Sequence, residues 1–139
     1  MTKWAASLIR LSNHEVETLQ KRLAEVVDRR EAAQMKLATM DAEAEIEMRN
    51  AEGDAAAGWY MVGYRKGLEV RRTETLLEID QISIEEIGAR DALSMAFENL
   101  KKYEHVAETA KAALAKKVGK LEMAALDELG LRRAAMGGR

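Results

Sequence analysis

Residues 55–67 read AAAGWYMVGYRKG and interrupt a chain that is otherwise typical of charged helices. One Trp, two Tyr, one Met and one Val stand here among three Gly. Together with Gly53, four glycines fall within fifteen residues. Each glycine costs a helix about 1 kcal/mol relative to alanine, so the cluster predicts that one helix ends here and another begins.

The composition of the chain favours long helices. Its 139 residues include no Pro, and aromatic residues make up only 4%, fewer than a compact core usually holds. Ala, Leu, Glu, Lys, Arg and Met are abundant instead, and all six are strong helix formers. The absence of Pro also removes the usual helix breaker. We therefore expect long helices that share a thin apolar seam.

Apolar residues recur at alternating spacings of three and four on both sides of the break, which is the repeat of a coiled coil. Polar residues such as Arg30 and Glu86 interrupt the repeat, and its many Ala bury little area, so we expect modest stability. Before the break, the repeat consists of Ile9, Ser12, Val16, Leu19, Leu23, Val26, Arg30, Ala33, Leu37, Met40 and Ala44. After the break, it consists of Leu68, Arg72, Thr75, Ile79, Ile82, Glu86, Ala89, Leu93, Ala96, Leu100, Tyr103, Ala107, Ala110, Leu114, Lys117, Leu121 and Ala124.

These patterns predict an all-α fold, a long two-helix antiparallel coiled-coil hairpin centred near residue 60. The whole chain is expected to form one domain with helix one at about 3–55, a bend at about 57–63, helix two at about 64–129 and a frayed tail at 130–139. The alternative is two helices that dimerise with another chain around a kink. The hairpin is favoured because pairing within one chain does not depend on concentration.

Residues suited to catalysis or metal binding are sparse. The chain has no Cys, and its glycine cluster lacks the spacing of a phosphate-binding loop. His14 and His105 would lie level in the hairpin, but both occupy outward-facing heptad positions, so no metal site is expected. A net charge of -2 gives little attraction to nucleic acid, and no apolar run approaches the roughly 20 residues of a membrane helix. We expect a cytoplasmic, non-enzymatic protein without cofactor, nucleic-acid partner or membrane insertion.

Two surfaces are candidates for binding partner proteins. Trp59, Tyr60 and Tyr64, with Met61 and Val62, cannot all face a two-helix seam, because a seam takes only two positions in seven. The aromatic cluster is therefore predicted to be partly exposed and to contact a protein, the alternative being a plug that fills the end of the hairpin.

The charges predict different properties for the two ends of the hairpin. Residues 41–54, near the bend, carry six acidic residues against one Arg. Residues 101–120, toward the open end, carry six Lys, including Lys116 and Lys117, against two Glu. We interpret the basic end as a second docking site, although both segments also fit ordinary solvated helix faces.

The chain resembles the flagellar type III export protein FliJ family. The segment Tyr64-Arg-Lys-Gly-Leu68 resembles the aromatic-x-x-x-Leu that follows the bend in the family, and Ser7-Leu8-Ile9-Arg10-Leu11 through Glu15 resembles the family's start. The resemblance implies a coiled coil similar to the stalk of rotary ATPases. Such a protein would occupy the export ATPase ring, contact the cytoplasmic domain of the export-gate membrane protein and escort export chaperones, at the cytoplasmic side of the inner membrane.

The resemblance also implies roles for individual residues. Tyr64 and Leu68 would contact the export gate, whereas Arg71 departs from the small residue of the family. The predicted partner-binding set has six residues. It consists of Trp59, Tyr60, Tyr64 and Leu68 near the bend and Lys116 and Lys117 at the base. Three alternatives stay open: a plain coiled-coil scaffold or spacer, the stalk protein of a virulence type III secretion system, and a nucleic-acid-binding arm, which the acidic bend region disfavours.

Overall fold

A computed structural model describes residues 2–137 of the chain as two α-helices. Helix α1 spans Thr2–Ala51 and helix α2 spans Ala57–Gly137, and residues 52–56 connect them. No β-strand occurs within residues 2–137. The two helices pack against each other, which confirms the predicted all-α helical hairpin.

The bend lies earlier in the chain than the sequence predicted. It occupies residues 52–56 instead of 57–63, because α1 ends at Ala51 and α2 already begins at Ala57. Gly53 ends α1, since it adopts a φ of 81°, in the left-handed region that glycine reaches without strain. The later glycines of the cluster lie inside α2, where each is tolerated at a modest cost in helix propensity.

Backbone groups at the bend find partners within the connection itself. The amide of Asp54 donates to the carbonyl of Ala51 over 3.3 Å, which occupies one of the carbonyls left open at the end of α1. The Oδ1 atom of Asp54 accepts from the amide of Ala56 over 3.0 Å, an Asx turn leading into α2. The connection is therefore a short, hydrogen-bonded turn.

Replacing Gly53 with alanine is expected to lower the free energy of unfolding by about 1–2 kcal/mol, because the left-handed conformation is strained for a residue with a Cβ. Gly63→Ala is the matched control. Gly63 is helical, and a Cβ at this position meets nothing within 4 Å, so alanine should stabilise α2 by up to about 1 kcal/mol. Urea unfolding followed by circular dichroism measures both changes, and equal effects of the two substitutions would contradict the assigned end of α1.

The far end of α2 also differs from the prediction. The helix continues through residues 130–137, which were expected to fray, since Arg, Ala, Leu and Met keep helix propensity high there. Residues 138–139 lie outside the described part of the chain. That the hairpin forms a single domain stays a prediction, because the internal contacts define two compact units.

The second unit, Val16–Met95, contains the bend and two small core clusters. In one cluster, Val26 and Ala33 of α1 pack on Ile82 of α2, with Ile79 at its edge. In the other, Met40 and Ala44 pack on Leu68, with Tyr64 at its edge. All of these residues except the bend-side Tyr64 belong to the predicted seam, so the periodicity identified the packed face correctly.

Ion pairs between the helices of this unit show which residues of α1 and α2 lie opposite each other. Arg30 lies opposite Glu86, with 2.6 Å between Nη1 and Oε2, whereas a hairpin centred on residue 60 would place Gln34 there. The difference follows from the earlier bend. The other pairs between the helices join Arg29 to Glu85, Lys36 to Glu78 and Arg72 to Asp41.

Asp41 and Arg72 form the best-aligned of these pairs. The Nε and Nη2 atoms of Arg72 donate to the two carboxylate oxygens of Asp41 over 2.6 and 3.0 Å. The hydrogen bond from Arg72 holds the pKa of the Asp41 carboxyl below its ordinary value. Because such bidentate pairs are geometrically specific, this pair helps to define the register next to the bend.

The first unit combines the residues up to Glu15 with those from Ala96 onward. Ala5 and Ser12 of α1 and Ala96 and Leu100 of α2 are its buried residues within the described chain. From Lys111 to Gly137, every residue of α2 is exposed except the half-buried Gly119. The predicted seam residues from Leu114 onward are thus not packed in a seam.

Candidate protein-docking surfaces

An aromatic surface lies on the first two turns of α2. Trp59 is 88% exposed and Tyr60 is 60% exposed. The next residue, Met61, is buried. The rings of Tyr60 and Tyr64 are stacked, with centroids 6.0 Å apart and an interplanar angle of 24°. Since the two tyrosines are four residues apart, they lie one above the other on the same helix face. Tyr60 and Tyr64 thus contact each other within the exposed aromatic cluster.

The predicted gate residues Tyr64 and Leu68 occupy different environments. Tyr64 is half-buried at the edge of the cluster formed by Met40, Ala44 and Leu68. Leu68 itself is only 8% exposed, so it packs inside the hairpin and presents almost no surface to a partner. Arg71, one turn further, bends back so that its Nε donates to the carbonyl of Gly67 over 3.4 Å. The surface available for contact is therefore Trp59, Tyr60 and the outer edge of Tyr64.

A shallow cleft of about 290 Å³ lies beside the aromatic surface, where α1 ends and α2 begins. It combines apolar side chains with the charged groups of the bend. Its lining consists of Met48, Ala51, Glu52, Asp54, Gly58, Met61, Val62 and Arg65. The cleft thus offers both apolar and charged groups to a partner that covers the aromatic surface.

The basic candidate residues Lys116 and Lys117 lie on the part of α2 that has no α1 beside it. Both are exposed, and the ion pair described in this segment joins Arg132 to Glu128 instead. Apolar side chains share the segment, and those exposed by more than half of their area are Leu114, Leu121, Met123, Leu126, Leu129, Leu131 and Met136. We call residues 112–137 the lone segment of α2. It combines positive charge with exposed apolar area, and both favour protein contact.

An apolar notch of about 300 Å³ opens where the start of α1 meets α2. Its lining includes Trp4 and Ile9 from α1 and Val106 and Lys111 from α2. Trp4 is 48% exposed. The notch lies within the first unit, beside the lone segment of α2.

Sequence reasoning missed the notch and the lone segment. A Trp at position 4, on a face with Ala5 and Ile9, was the available signal for the notch. The signal for the lone segment was the unequal length of the two heptad runs, which the structure shows as helices of 50 and 81 residues. Both signals depend on the position of the bend, which the sequence placed too late.

The described residues contain no metal-binding cluster and no membrane-spanning stretch. No group of three His, Asp or Glu side chains within residues 2–137 is arranged to hold a metal ion, and both His14 and His105 are exposed. Neither of the two described helices contains a stretch that is apolar and long enough to cross a membrane.

Comparison with known proteins gives the chain its family. It is 67% identical over 139 residues to flagellar FliJ proteins from two strains of Caulobacter vibrioides, and the match covers 100% of this chain and 100% of each relative. No family model matches the chain. No solved structure matches it either. Identity at this level over the full length shows that the chain belongs to the family of flagellar FliJ proteins.

Proposed function

We propose that this protein is a non-catalytic component of the flagellar type III export apparatus. It acts as a stalk-like coiled coil that links the export ATPase ring to the cytoplasmic domain of the export gate, regulates the ATPase and escorts export chaperones. Its place is in the cytoplasm, peripheral to the inner membrane, where it supports flagellum assembly and motility without membrane insertion, nucleic acid or cofactor. Family membership supports this export role, and the exposed aromatic surface is the observation that supports gate docking.

The aromatic surface is suited to a protein contact. Trp and Tyr supply a large apolar area at low entropic cost and dominate the energetics of many interfaces. Trp59 places 88% of its surface in solvent, where it has no packing role in the hairpin. In this proposal Trp59, Tyr60 and the edge of Tyr64 contact the gate, while Leu68 holds α2 against α1 and so orients the aromatic rings.

Binding of the purified cytoplasmic gate domain, measured by calorimetry, tests this role. The variant Trp59→Ala/Tyr60→Ala removes exposed rings only, so it should weaken binding by at least about tenfold while leaving the helix content unchanged. The matched control is Met35→Ala/Ile46→Ala, which removes exposed apolar side chains from α1. Binding that is equally tight for wild type and both variants would overturn gate docking by this surface.

The ATPase ring is proposed to contact the first unit. Lys116 and Lys117 are exposed on the lone segment of α2 among apolar side chains, and the notch formed with Trp4 belongs to the same unit. Positive charge steers association with an acidic partner, and apolar area stabilises the complex once it forms. The chain hydrolyses nothing itself; it favours one state of the ring through contacts that differ between states.

Reversing the charges of Lys116 and Lys117 to Glu should reduce stimulation of the ATPase, and the loss should be largest at low salt, where charges are least screened. Lys101→Glu/Lys102→Glu is the matched control. It makes the same charge change in the same unit, on exposed positions before the lone segment begins. Unchanged stimulation by the Lys116/Lys117 variant, or equal loss in both variants, would remove the lone segment from the ATPase contact.

A further inference from the structure

Helix α2 carries a second apolar stripe on the face opposite the hairpin seam. We define this outer stripe as Trp59, Val70, Leu77, Ile84 and Met95, which are exposed by 88, 57, 57, 70 and 64%. Neighbouring members of the stripe are eleven or seven residues apart. Eleven residues turn the helix by slightly more than three turns and seven by slightly less than two, so these deviations cancel and the side chains stay on one face. Exposed Val62, Leu76 and Ile87 widen the stripe on one side.

The outer stripe is separate from the packing of the hairpin. Residues nine positions apart lie two and a half turns apart and face opposite ways. Buried Leu68, Thr75 and Glu86 stand nine positions before Leu77, Ile84 and Met95, respectively. The stripe therefore points directly away from α1, and the seam gains nothing from its apolar character. A helix in water favours polar residues on its free face, so this pattern indicates a covered face.

The charges beside the outer stripe are mainly acidic from Val70 onward, whereas exposed Arg65 and Lys66 lie closer to its Trp59 end. From Glu69 to Asp91, the charged side chains without a described ion pair are Glu69, Arg71, Glu74, Asp80 and Asp91, four acidic against one basic, and all five are exposed. Arg72 and Arg90 lie toward the seam, where they pair with Asp41 and Glu86. From Val70 onward, the stripe is thus an apolar strip between mainly acidic edges.

We propose that the outer stripe docks an amphipathic helix of a partner protein that bears an apolar seven-residue repeat flanked by Lys and Arg. Val70, Leu77 and Ile84 repeat every seven residues, as a coiled-coil partner requires, and the acidic edges complement basic flanks. Val70 and Met95 lie 25 residues apart, so this part of the stripe extends over about 38 Å and accommodates a helix of several turns. The inference does not depend on the export function.

Charge decides against the other occupants of this face. Two copies of the chain packed stripe to stripe would bring acidic edges against acidic edges, which is repulsive. Nucleic acid and anionic lipid surfaces are repelled for the same reason. A third helix with basic flanks would cover the apolar stripe with its own apolar face and place its Lys and Arg beside the acidic edges. The hairpin would then form part of a three-helix assembly.

A synthetic helical peptide tests the proposal. The probe has three heptads with Leu on one face and Lys beside it, and its counterpart has Glu in place of Lys. Fluorescence anisotropy with the full chain should show binding of the Lys peptide and at least about tenfold weaker binding of the Glu peptide. No binding of the Lys peptide, or equal binding of both peptides, would overturn the proposal.

Variants of the chain separate stripe docking from general charge attraction. Leu77→Glu/Ile84→Glu adds two negative charges, so a peptide attracted only by charge would bind this variant more tightly than wild type. Docking on the stripe predicts the opposite, a loss of at least about tenfold. Met35→Glu/Ile46→Glu makes the same change at exposed positions of α1 and should bind like wild type. Circular dichroism checks that both variants keep their helices, and tighter binding by the stripe variant would reject the proposal.

Sedimentation of the chain alone measures whether it forms dimers. The repulsion between acidic edges predicts that the stripe mediates no self-association. A concentration-dependent dimer that Leu77→Glu/Ile84→Glu abolishes and Met35→Glu/Ile46→Glu retains would identify a second copy as the occupant, and so would overturn the assignment to a basic helix.

Discussion

Replacing Ile82 with alanine is expected to lower the free energy of unfolding by about 2–4 kcal/mol. Ile82 is 3% exposed and packs on Val26 and Ala33, while Ile79 lies at the edge of the same cluster. A two-helix seam has no second layer to fill the space that a missing side chain leaves. Urea unfolding at a fixed protein concentration measures the change.

Ile84→Ala is the matched control for this prediction. It makes the same truncation two residues further along α2, but Ile84 is 70% exposed, so the change should stay within about 0.5 kcal/mol. Equal losses at the two positions would mean that α2 is rotated relative to the packing described above. Ile84 would then lie in the seam, and the outer stripe would lose its basis.

The second large effect concerns the ion pair inside the seam. Glu86 is 8% exposed and accepts from Arg30 over 2.6 Å and from Arg90 over 3.4 Å. Arg30→Leu removes the closer partner and leaves a buried carboxylate, so it should destabilise the hairpin by about 1–3 kcal/mol. Arg30→Leu/Glu86→Leu removes both charges and should recover this loss, because an apolar pair often equals or exceeds a buried ion pair in stability.

A double-mutant cycle on Arg30 and Glu86 measures the coupling directly. The three variants are Arg30→Leu, Glu86→Leu and the combination, each unfolded in urea. The Nε atom of Arg30 has no hydrogen-bond partner among the described residues, so part of the desolvation of this side chain stays uncompensated. A double variant that loses as much as the two single variants together would show that the pair is not coupled.

Much of the second unit was predictable because its seam obeys a repeat. Val26, Ala33, Met40 and Ala44 were assigned to the packed face from spacing alone, and all four are buried. Burying one stripe of a helix requires only that apolar residues recur at alternating spacings of three and four residues. This pattern can be read from one helix without knowledge of its partner. For the same reason, buried Thr75 was correctly placed in the seam, where its hydroxyl donates to the carbonyl of Arg71 over 2.9 Å.

The bend and the candidate sites were harder to predict, because they depend on single residues. Four glycines marked the break, but which of them ends α1 depends on one backbone angle, the left-handed φ of Gly53. Leu68 was assigned to a partner contact, yet it also belongs to the seam, and the structure buries it there. The outer stripe escaped notice since its residues look like ordinary surface until the direction of the seam is known.

The short connection at residues 52–56 bears on the order in which the hairpin is expected to fold. The contact of Ala44 with Leu68 closes a much smaller loop than the pairing of Arg30 with Glu86, which spans 56 residues. Because loop closure costs more entropy as the loop grows, we expect the cluster next to the bend to form first and the more distant pairs of the seam to follow. We therefore expect the aromatic surface at the start of α2 to form before the Arg30–Glu86 pair.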